Sequence, residues 1–166
     1  AARIKRIVRI EGETHWQAVR GKPVILLAPH FVGLDMGGSR LSIDVQVASM
    51  YSKQKNPLLD RLLLQGRRRF NTPRLFSRQD SVRSVVKAVR DGMPFYYLPD
   101  MDFGARDSIF VPFFGVLAAT ITGVSRLARL ADARVVPAVT RQLPGGQGYV
   151  LTFYPAWENF PSEDVA

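Results

Sequence analysis

The stretch VILLAPHFVGLDMGG, residues 24–38, runs from an apolar segment through a turn into a glycine-containing segment. A short apolar run bounded by proline and glycine is typical of a buried strand, and we predict a strand at 24–28. A helix is expected to begin near Leu34. A strand that ends at a turn and leads into a helix is the repeating unit of an α/β fold.

The same turn holds two residues that can carry chemistry, His30 and Asp35. The pKa of a histidine lies near neutrality, so His30 could accept a proton from a hydroxyl group. Asp35 could hydrogen-bond one ring nitrogen and leave the other free to act as a base. The helix start offers N–H groups to a developing anion, and Gly33, Gly37 and Gly38 are expected to give a substrate close access to the backbone. The alternative is a hydrogen-bonded core histidine with Asp35 as a helix cap.

Apolar strands alternate with amphipathic helices along the rest of the chain. This pattern predicts a single α/β domain over residues 1–166, with a mixed, mostly parallel central sheet flanked by helices. Strands are expected at 4–10, 24–28, 44–51 and 93–99, with a closing hairpin at 134–155. Helices are expected at 13–20, from 34, and at 57–66, 81–90 and 121–131.

The composition restricts the classes of function. A net charge of +9 favours an anionic partner, such as an acidic protein, nucleic acid or an anionic membrane surface. The chain has no cysteine, which excludes disulfides and thiolate metal sites. The uncharged stretch from Ile109 to Ser125 is interrupted by proline and glycine, so it is expected to form a buried strand, a turn and a helix start. The aromatic residues nearby are expected in the core, namely Phe31, Tyr96, Tyr97, Phe110, Phe113 and Phe114.

Two further clusters are candidates for binding. One or two of Arg67, Arg68 and Arg69 could pair with phosphate through bidentate hydrogen bonds; the alternative, a solvated basic loop, leads on composition alone. Asp100 and Asp102 could brace these arginines or bind hydroxyl groups of an acceptor, although turn-forming aspartates are a fair alternative. A metal interpretation is less favoured, because no third ligand is evident for Asp100 and Asp102.

Four blocks, in order, carry a resemblance to a known family. They are RIVRIEGETHWQAVRGKPVILLAPHF, NPLLDRLLLQGRRRFN, YYLPDMDFG followed by FVPFFGVLAATITGVSRLA, and ARVVPAVTRQLPGGQGYVLTF. Together they resemble the lipid A biosynthesis acyltransferases, the late acyltransferases of the lysophospholipid acyltransferase superfamily. Pro29 stands where the glycerolipid branch usually has Asn, which favours the lipid A branch. Many lipid A members carry Glu at the position of Asp35.

The resemblance implies a reaction and a set of roles. A fatty acyl group would pass from an acyl carrier protein thioester to a hydroxyl of a lipid A precursor, by direct attack and without a metal or cofactor. His30 would be the general base and Asp35 its orienting acid, with Arg67, Arg69, Asp100 and Asp102 binding substrate. The implied partners are acyl carrier protein, anionic membrane lipid and the glycolipid acceptor, at the cytoplasmic face of the bacterial inner membrane. The family normally has an N-terminal membrane helix, so we expect this chain to be a fragment that lacks it.

Two other interpretations stay open on the sequence. The first is an acyltransferase that uses acyl-CoA and acts on another glycolipid or a lysophospholipid. The second is a non-catalytic, basic lipid- or nucleic-acid-binding domain. No nucleic-acid partner is expected, because the arginines are spread over several helix faces without an interleaved aromatic platform.

Overall fold

The computed structural model describes residues 1–77, 79–101, 104 and 108–162. Within these ranges a seven-stranded sheet has the order β1-β9-β8-β2-β5-β3-β4, and all neighbouring strands are parallel except β8 and β9. The predicted α/β class with a mixed, mostly parallel sheet is therefore confirmed. The strands are β1 (Val8–Glu11), β2 (Val24–Leu27), β3 (Ala48–Met50), β4 (Arg74–Phe76), β5 (Phe95–Tyr97), β8 (Arg134–Gln142) and β9 (Tyr149–Phe153). The helices are α1 (Ala2–Ile7), α2 (Glu13–Val19), α3 (Leu34–Asp44), α4 (Pro57–Arg67), α5 (Val82–Arg90) and α6 (Gly123–Ala131).

Strand β2 lies inside the sheet and is covered on both faces. Val24 and Leu26 belong to one apolar cluster, with Leu41 of α3, whereas Ile25 belongs to another with Val89 of α5. Alternate residues of a strand point to opposite faces. A continuous apolar run is what a parallel strand between two helical layers requires.

The N-terminal ends of α4 and α5 are capped as their sequences indicate. The Asn56 side chain accepts hydrogen bonds from the backbone N–H groups of Leu58 and Leu59, at 2.9 and 3.2 Å, and Pro57 is the first helical residue. The Ser81 side chain accepts from the N–H of Arg83 at the start of α5. The Asn56-Pro57 pair therefore fixes where α4 begins.

The segment after the site differs from its prediction. Residues Ser108–Phe113 (β6) and Val116–Ile121 (β7) form a separate two-stranded antiparallel hairpin, and neither strand contains a buried residue. The expectation of a buried strand was wrong, as was the expectation of a core position for Phe110, Phe113 and Phe114, because the hairpin pairs with itself outside the main sheet. Phe114 is 93% exposed. Phe31 is also exposed, whereas Tyr96 is buried as expected.

The N-terminal strand was also predicted too early. Residues Ala2–Ile7 form a helix, and the strand covers Val8–Glu11. Ile4 and Ile7, three residues apart, both pack against the core from one face of that helix. No helix within the described ranges has the length and apolar character to cross a bilayer.

Candidate active site

His30 lies just beyond the carboxyl end of β2 and is held by Asp100. Its backbone N–H donates to Oδ2 of Asp100 at 2.7 Å, and its ring Nδ1 lies 2.7 Å from Oδ1 of the same carboxylate. Asp100 follows β5, the parallel neighbour of β2. The carboxyl ends of adjacent parallel strands meet at one edge of the sheet, so residues 70 positions apart become partners.

The charge of Asp100 determines the form of the neutral His30 ring. Burial raises the pKa of the Asp100 carboxyl, but the hydrogen bonds from the backbone and ring of His30 outweigh this effect, so its pKa is lowered overall. An ionised carboxylate can only accept hydrogen bonds. In the neutral ring the proton is therefore on Nδ1, and Nε2 keeps its lone pair. The His30 side chain is 42% exposed, so solvent and substrate can reach it.

The expected hydrogen bond between His30 and Asp35 is not made among the described residues, and Asp100 occupies Nδ1 instead. The physical reason is that Asp100 follows β5, the strand paired with β2, and its carboxylate accepts from both the backbone and the ring of His30. Asp35 lies in the first turn of α3. There Asp35 lines a pocket between α3 and α4. The roles proposed for His30 and Asp35 in catalysis remain predictions.

The pocket has a volume of about 230 Å³ and is floored by β3 and β5. Arg67 and Arg69 both line it, while Arg68 contributes to a different depression beside Lys53. Arg69 donates from Nη2 to Oγ of Ser39 on α3 at 3.3 Å. The structure thus brings Asp35, Arg67 and Arg69 into one pocket and separates Arg68 from them; whether they bind substrate remains a prediction.

Arg67 rests on a short polar network. Its guanidinium carbon lies 5.5 Å from the centroid of the Tyr51 ring, a cation–π distance. The Tyr51 hydroxyl donates to the Asp60 carboxylate, which raises the pKa of Tyr51 and lowers that of Asp60. Tyr51 follows β3 directly, so the carboxyl edge of the sheet also positions this arginine.

Residues 1–166 match the bacterial lipid A biosynthesis acyltransferase family over their whole length. The chain is 36% identical over 166 residues to the lipid A biosynthesis lauroyltransferase of Escherichia coli K12, covering 98% of this chain and 54% of that protein. It is 38% identical over 137 residues to a lipid A biosynthesis acyltransferase of Haemophilus influenzae, covering 82% of this chain and 43% of the relative.

The chain belongs to the bacterial lipid A biosynthesis acyltransferase family. A further similar protein is the lipid A biosynthesis myristoyltransferase of Escherichia coli K12, at 35% identity over 138 residues, 78% of this chain and 42% of that protein. The chain thus spans about half the length of the curated relatives it matches. The resemblance stated from the four sequence blocks is confirmed.

In this member of the acyltransferase family, two of the three turn glycines serve helix packing. A Cβ atom at Gly37 would lie 1.9 Å from Oγ1 of Thr140 on β8, and one at Gly33 would lie 2.8 Å from Cγ2 of the same residue. Both glycines are buried. The expectation that they give a substrate access to the backbone was therefore wrong, because β8 fills that space.

Tyr96, which the sequence placed among core aromatic residues that could also line a slot for an acyl chain, is a pocket residue. It is buried, its hydroxyl donates to the carbonyl of Leu34 at 3.2 Å, and burial raises its pKa. A neutral phenol is thus fixed beneath the start of α3. The position of Tyr96 on the apolar strand before Asp100 was the available signal, because alternate residues of that strand had to face the α3 layer.

Asp102 lies outside the described residues, so the structure gives no account of its predicted role. Within the described ranges, no group of three or more His, Asp or Glu side chains is arranged to hold a metal ion. Asp100, predicted as a substrate-binding residue, lies against His30, and its role toward substrate remains a prediction. This contact is the site feature that spacing along the sequence did not predict.

Proposed function

We propose that this chain carries the catalytic histidine of an acyltransferase that moves a fatty acyl group from acyl carrier protein to a hydroxyl of a lipid A precursor. The observation that carries the proposal is the pairing of His30 with Asp100 beside a pocket lined by Arg67 and Arg69. Membership in the lipid A family supplies the reaction class. The names of similar proteins, lauroyltransferase and myristoyltransferase, support a fatty acyl group as the cargo.

In the proposed step, Nε2 of His30 takes the proton of the acceptor hydroxyl as its oxygen attacks the thioester carbonyl carbon. A tetrahedral oxyanion forms, the carbon–sulfur bond then breaks, and the proton passes from His30 to the departing thiolate. The products are an ester and a thiol, so the chain itself is unchanged. General base catalysis of this kind contributes roughly 10²–10⁴-fold.

Asp100 is assigned the task of fixing the tautomer of His30, on the strength of its two hydrogen bonds. Asp35 is assigned to the acceptor, because its carboxylate lines the pocket between α3 and α4. Arg67 and Arg69 are assigned to a phosphate of the acceptor or of the carrier's prosthetic arm, since guanidinium groups bind phosphate bidentately. No side chain caps the start of α3, and the positive end of its helix dipole supports stabilisation of the oxyanion.

We assign the proposed acyl transfer to the cytoplasmic face of the bacterial inner membrane, where a lipid acceptor and a soluble carrier protein meet. The net charge of +9 supports both an acidic carrier protein and anionic lipid as partners. An assay that offers acyl carrier protein and coenzyme A thioesters of the same fatty acid separates the proposed donor from the alternative one. Faster turnover of the acyl-CoA would overturn the assignment of the donor.

The test of the proposed reaction is His30→Ala, with acyl transfer and lipid binding measured separately in detergent. We expect kcat to fall by roughly 10²–10⁴-fold, while the thermal unfolding midpoint changes little because the side chain is partly exposed. His15→Ala on α2 is the matched control and should keep full activity. Equal activity of the two variants would refute His30 as the base, and a chain that binds lipid without turnover would favour the non-catalytic lipid-binding domain.

A further inference from the structure

Exposed apolar side chains gather in the segments that leave the carboxyl edge of the parallel strands, where His30 lies. They follow β2, β3 and β5, and are Phe31, Val32, Leu58, Leu59, Met101, Phe113 and Phe114. The loops at the opposite edge, which lead into β2, β5 and β8, instead expose charged residues, namely Arg20, Lys22, Asp91 and Asp132. Exposed apolar side chains also occur away from the edge of His30, at Leu130, Tyr154 and Trp157.

Helix α4 shows this exposure most clearly, because its buried residue is acidic and its leucines are exposed. Its buried residue is the acidic Asp60, which accepts hydrogen bonds from the Tyr51 hydroxyl and from the Gln54 N–H. The leucines point outward and share one helical face by their spacing of three and four residues. This leucine face consists of Leu58, Leu59, Leu62 and Leu63, whose exposed fractions are 66%, 46%, 57% and 40%.

Basic residues are frequent in and beside α4: Arg67 and Arg69 line the pocket next to the leucine face, and the others line a depression on the other flank of the helix. Residues 52–70 contain six of them, namely Lys53, Lys55, Arg61, Arg67, Arg68 and Arg69. Asp60 is the one acidic residue in this segment, and its carboxylate is occupied by the hydrogen bonds of Tyr51 and Gln54. A helix with an outward leucine face and basic residues on its remaining surface matches the interface of an anionic bilayer, in which leucine enters the acyl boundary and lysine or arginine meets phosphate.

We propose that the leucine face of α4 docks on an anionic lipid bilayer. Leu62 and Leu63 lie on this face and also line the pocket of Arg67 and Arg69. A docked helix would therefore open that pocket directly onto the membrane, so that a lipid enters from the bilayer without crossing water. The inference deepens the proposed function, on which it rests for the lipid nature of the substrate.

The test is flotation of the full chain with vesicles of phosphatidylethanolamine and phosphatidylglycerol at a ratio of about 3:1, which supply anionic headgroups. The test variant is Leu58→Gln with Leu59→Gln, neither of which lines the pocket. The matched control is Val82→Gln with Leu130→Gln, which removes two exposed apolar side chains from α5 and α6. We expect the leucine variant to partition roughly tenfold more weakly, the control to bind as the parent does, and phosphatidylcholine vesicles to bind neither.

Equal flotation of the two variants would overturn the proposal, as would a shift of the leucine variant from dimer to monomer in sedimentation without loss of vesicle binding. If the leucine variant does not fold, Leu58→Trp provides the second test. Vesicles with brominated acyl chains should quench its added fluorescence, and an unquenched signal would refute insertion. Because His30→Ala should float normally, loss of the proposed reaction and loss of docking are distinguishable.

Discussion

Two hydrogen bonds join His30, after β2, to Asp100, after the neighbouring strand β5. The proposed chemistry depends on this contact. Asp100→Asn keeps the shape of the side chain but removes its charge and gives it an amide donor. The neutral amide no longer fixes the proton on Nδ1, and its N–H₂ group cannot accept from the backbone of His30. We expect kcat to fall about 10- to 100-fold, the range for hydrogen bonds to charged groups.

Asp35→Asn is the comparison for this variant, because it leaves the contact of His30 with Asp100 in place. The ring nitrogen chemical shifts of His30 should change in Asp100→Asn and stay unchanged in Asp35→Asn. If the shifts change in Asp35→Asn and not in Asp100→Asn, then Asp35 and not Asp100 orients the His30 ring.

The lowered pKa of Asp100 also predicts how the pair depends on pH. A carboxyl with a lower pKa in the folded state contributes its stability above the unfolded pKa, about 3.9, and loses it as the pH falls through the folded value. The difference in unfolding free energy between the parent and Asp100→Asn should therefore be constant from neutrality to about pH 4 and shrink below it. A difference that shrinks already near pH 6 would contradict this prediction.

Arg67, Arg68 and Arg69 provide a matched set for the binding prediction. Arg67→Ala and Arg69→Ala each remove a guanidinium from the pocket, whereas Arg68→Ala removes the same charge from the other depression. We expect KM for the phosphorylated lipid to rise about 10- to 100-fold in the first two and less than about twofold in the third, where only screened surface charge is lost. Equal changes in all three would mean that net charge, and not the pocket, governs binding.

At the scale of elements, the approach of α3 to β8 depends on Gly37. Alanine there would overlap Oγ1 of Thr140, and overpacking of this kind costs about 1–3 kcal/mol. Gly66→Ala on α4 is the control, since its Cβ would meet nothing within 4 Å and should be neutral or stabilising. Thr140→Ala should partly rescue Gly37→Ala in chemical denaturation, and additive losses in the double variant would argue against the contact.

The elements that the sequence predicts well are those whose patterning reflects burial. The apolar run of β2, the helix α5 and the Asn56-Pro57 start of α4 each follow from local rules and are found in place. The pair of His30 and Asp100 could not be predicted by spacing, because strand order places the two residues together. Apolar character wrongly predicted core positions for Phe113 and Phe114. A large apolar side chain favours removal from water, but its sequence does not show whether the core of the same domain provides the covering contact.

Over the whole molecule, the protection of backbone amides from hydrogen exchange should depend on how deeply each strand is buried. Val24, Ile25 and Leu26 of β2 are fully buried between two helical layers, whereas the hairpin of β6 and β7 has no buried residue among those described. Local opening of such a hairpin costs little, while amides of central strands exchange through openings that approach global unfolding, about 5–15 kcal/mol.

Hydrogen exchange should therefore reveal a difference between two hydrogen-bonded strand pairs, the parallel pair of β2 and β8 and the antiparallel pair of β6 and β7. Amides of β2 and β8 should remain protected long after those of β6 and β7 have exchanged, because helices shield one pair and solvent reaches the other. Equal protection of the hairpin in the isolated chain would mean that something covers Phe113 and Phe114. Dilution separates the two explanations: exchange that quickens at low concentration would identify a second copy as the cover, and exchange independent of concentration would place the cover within the chain.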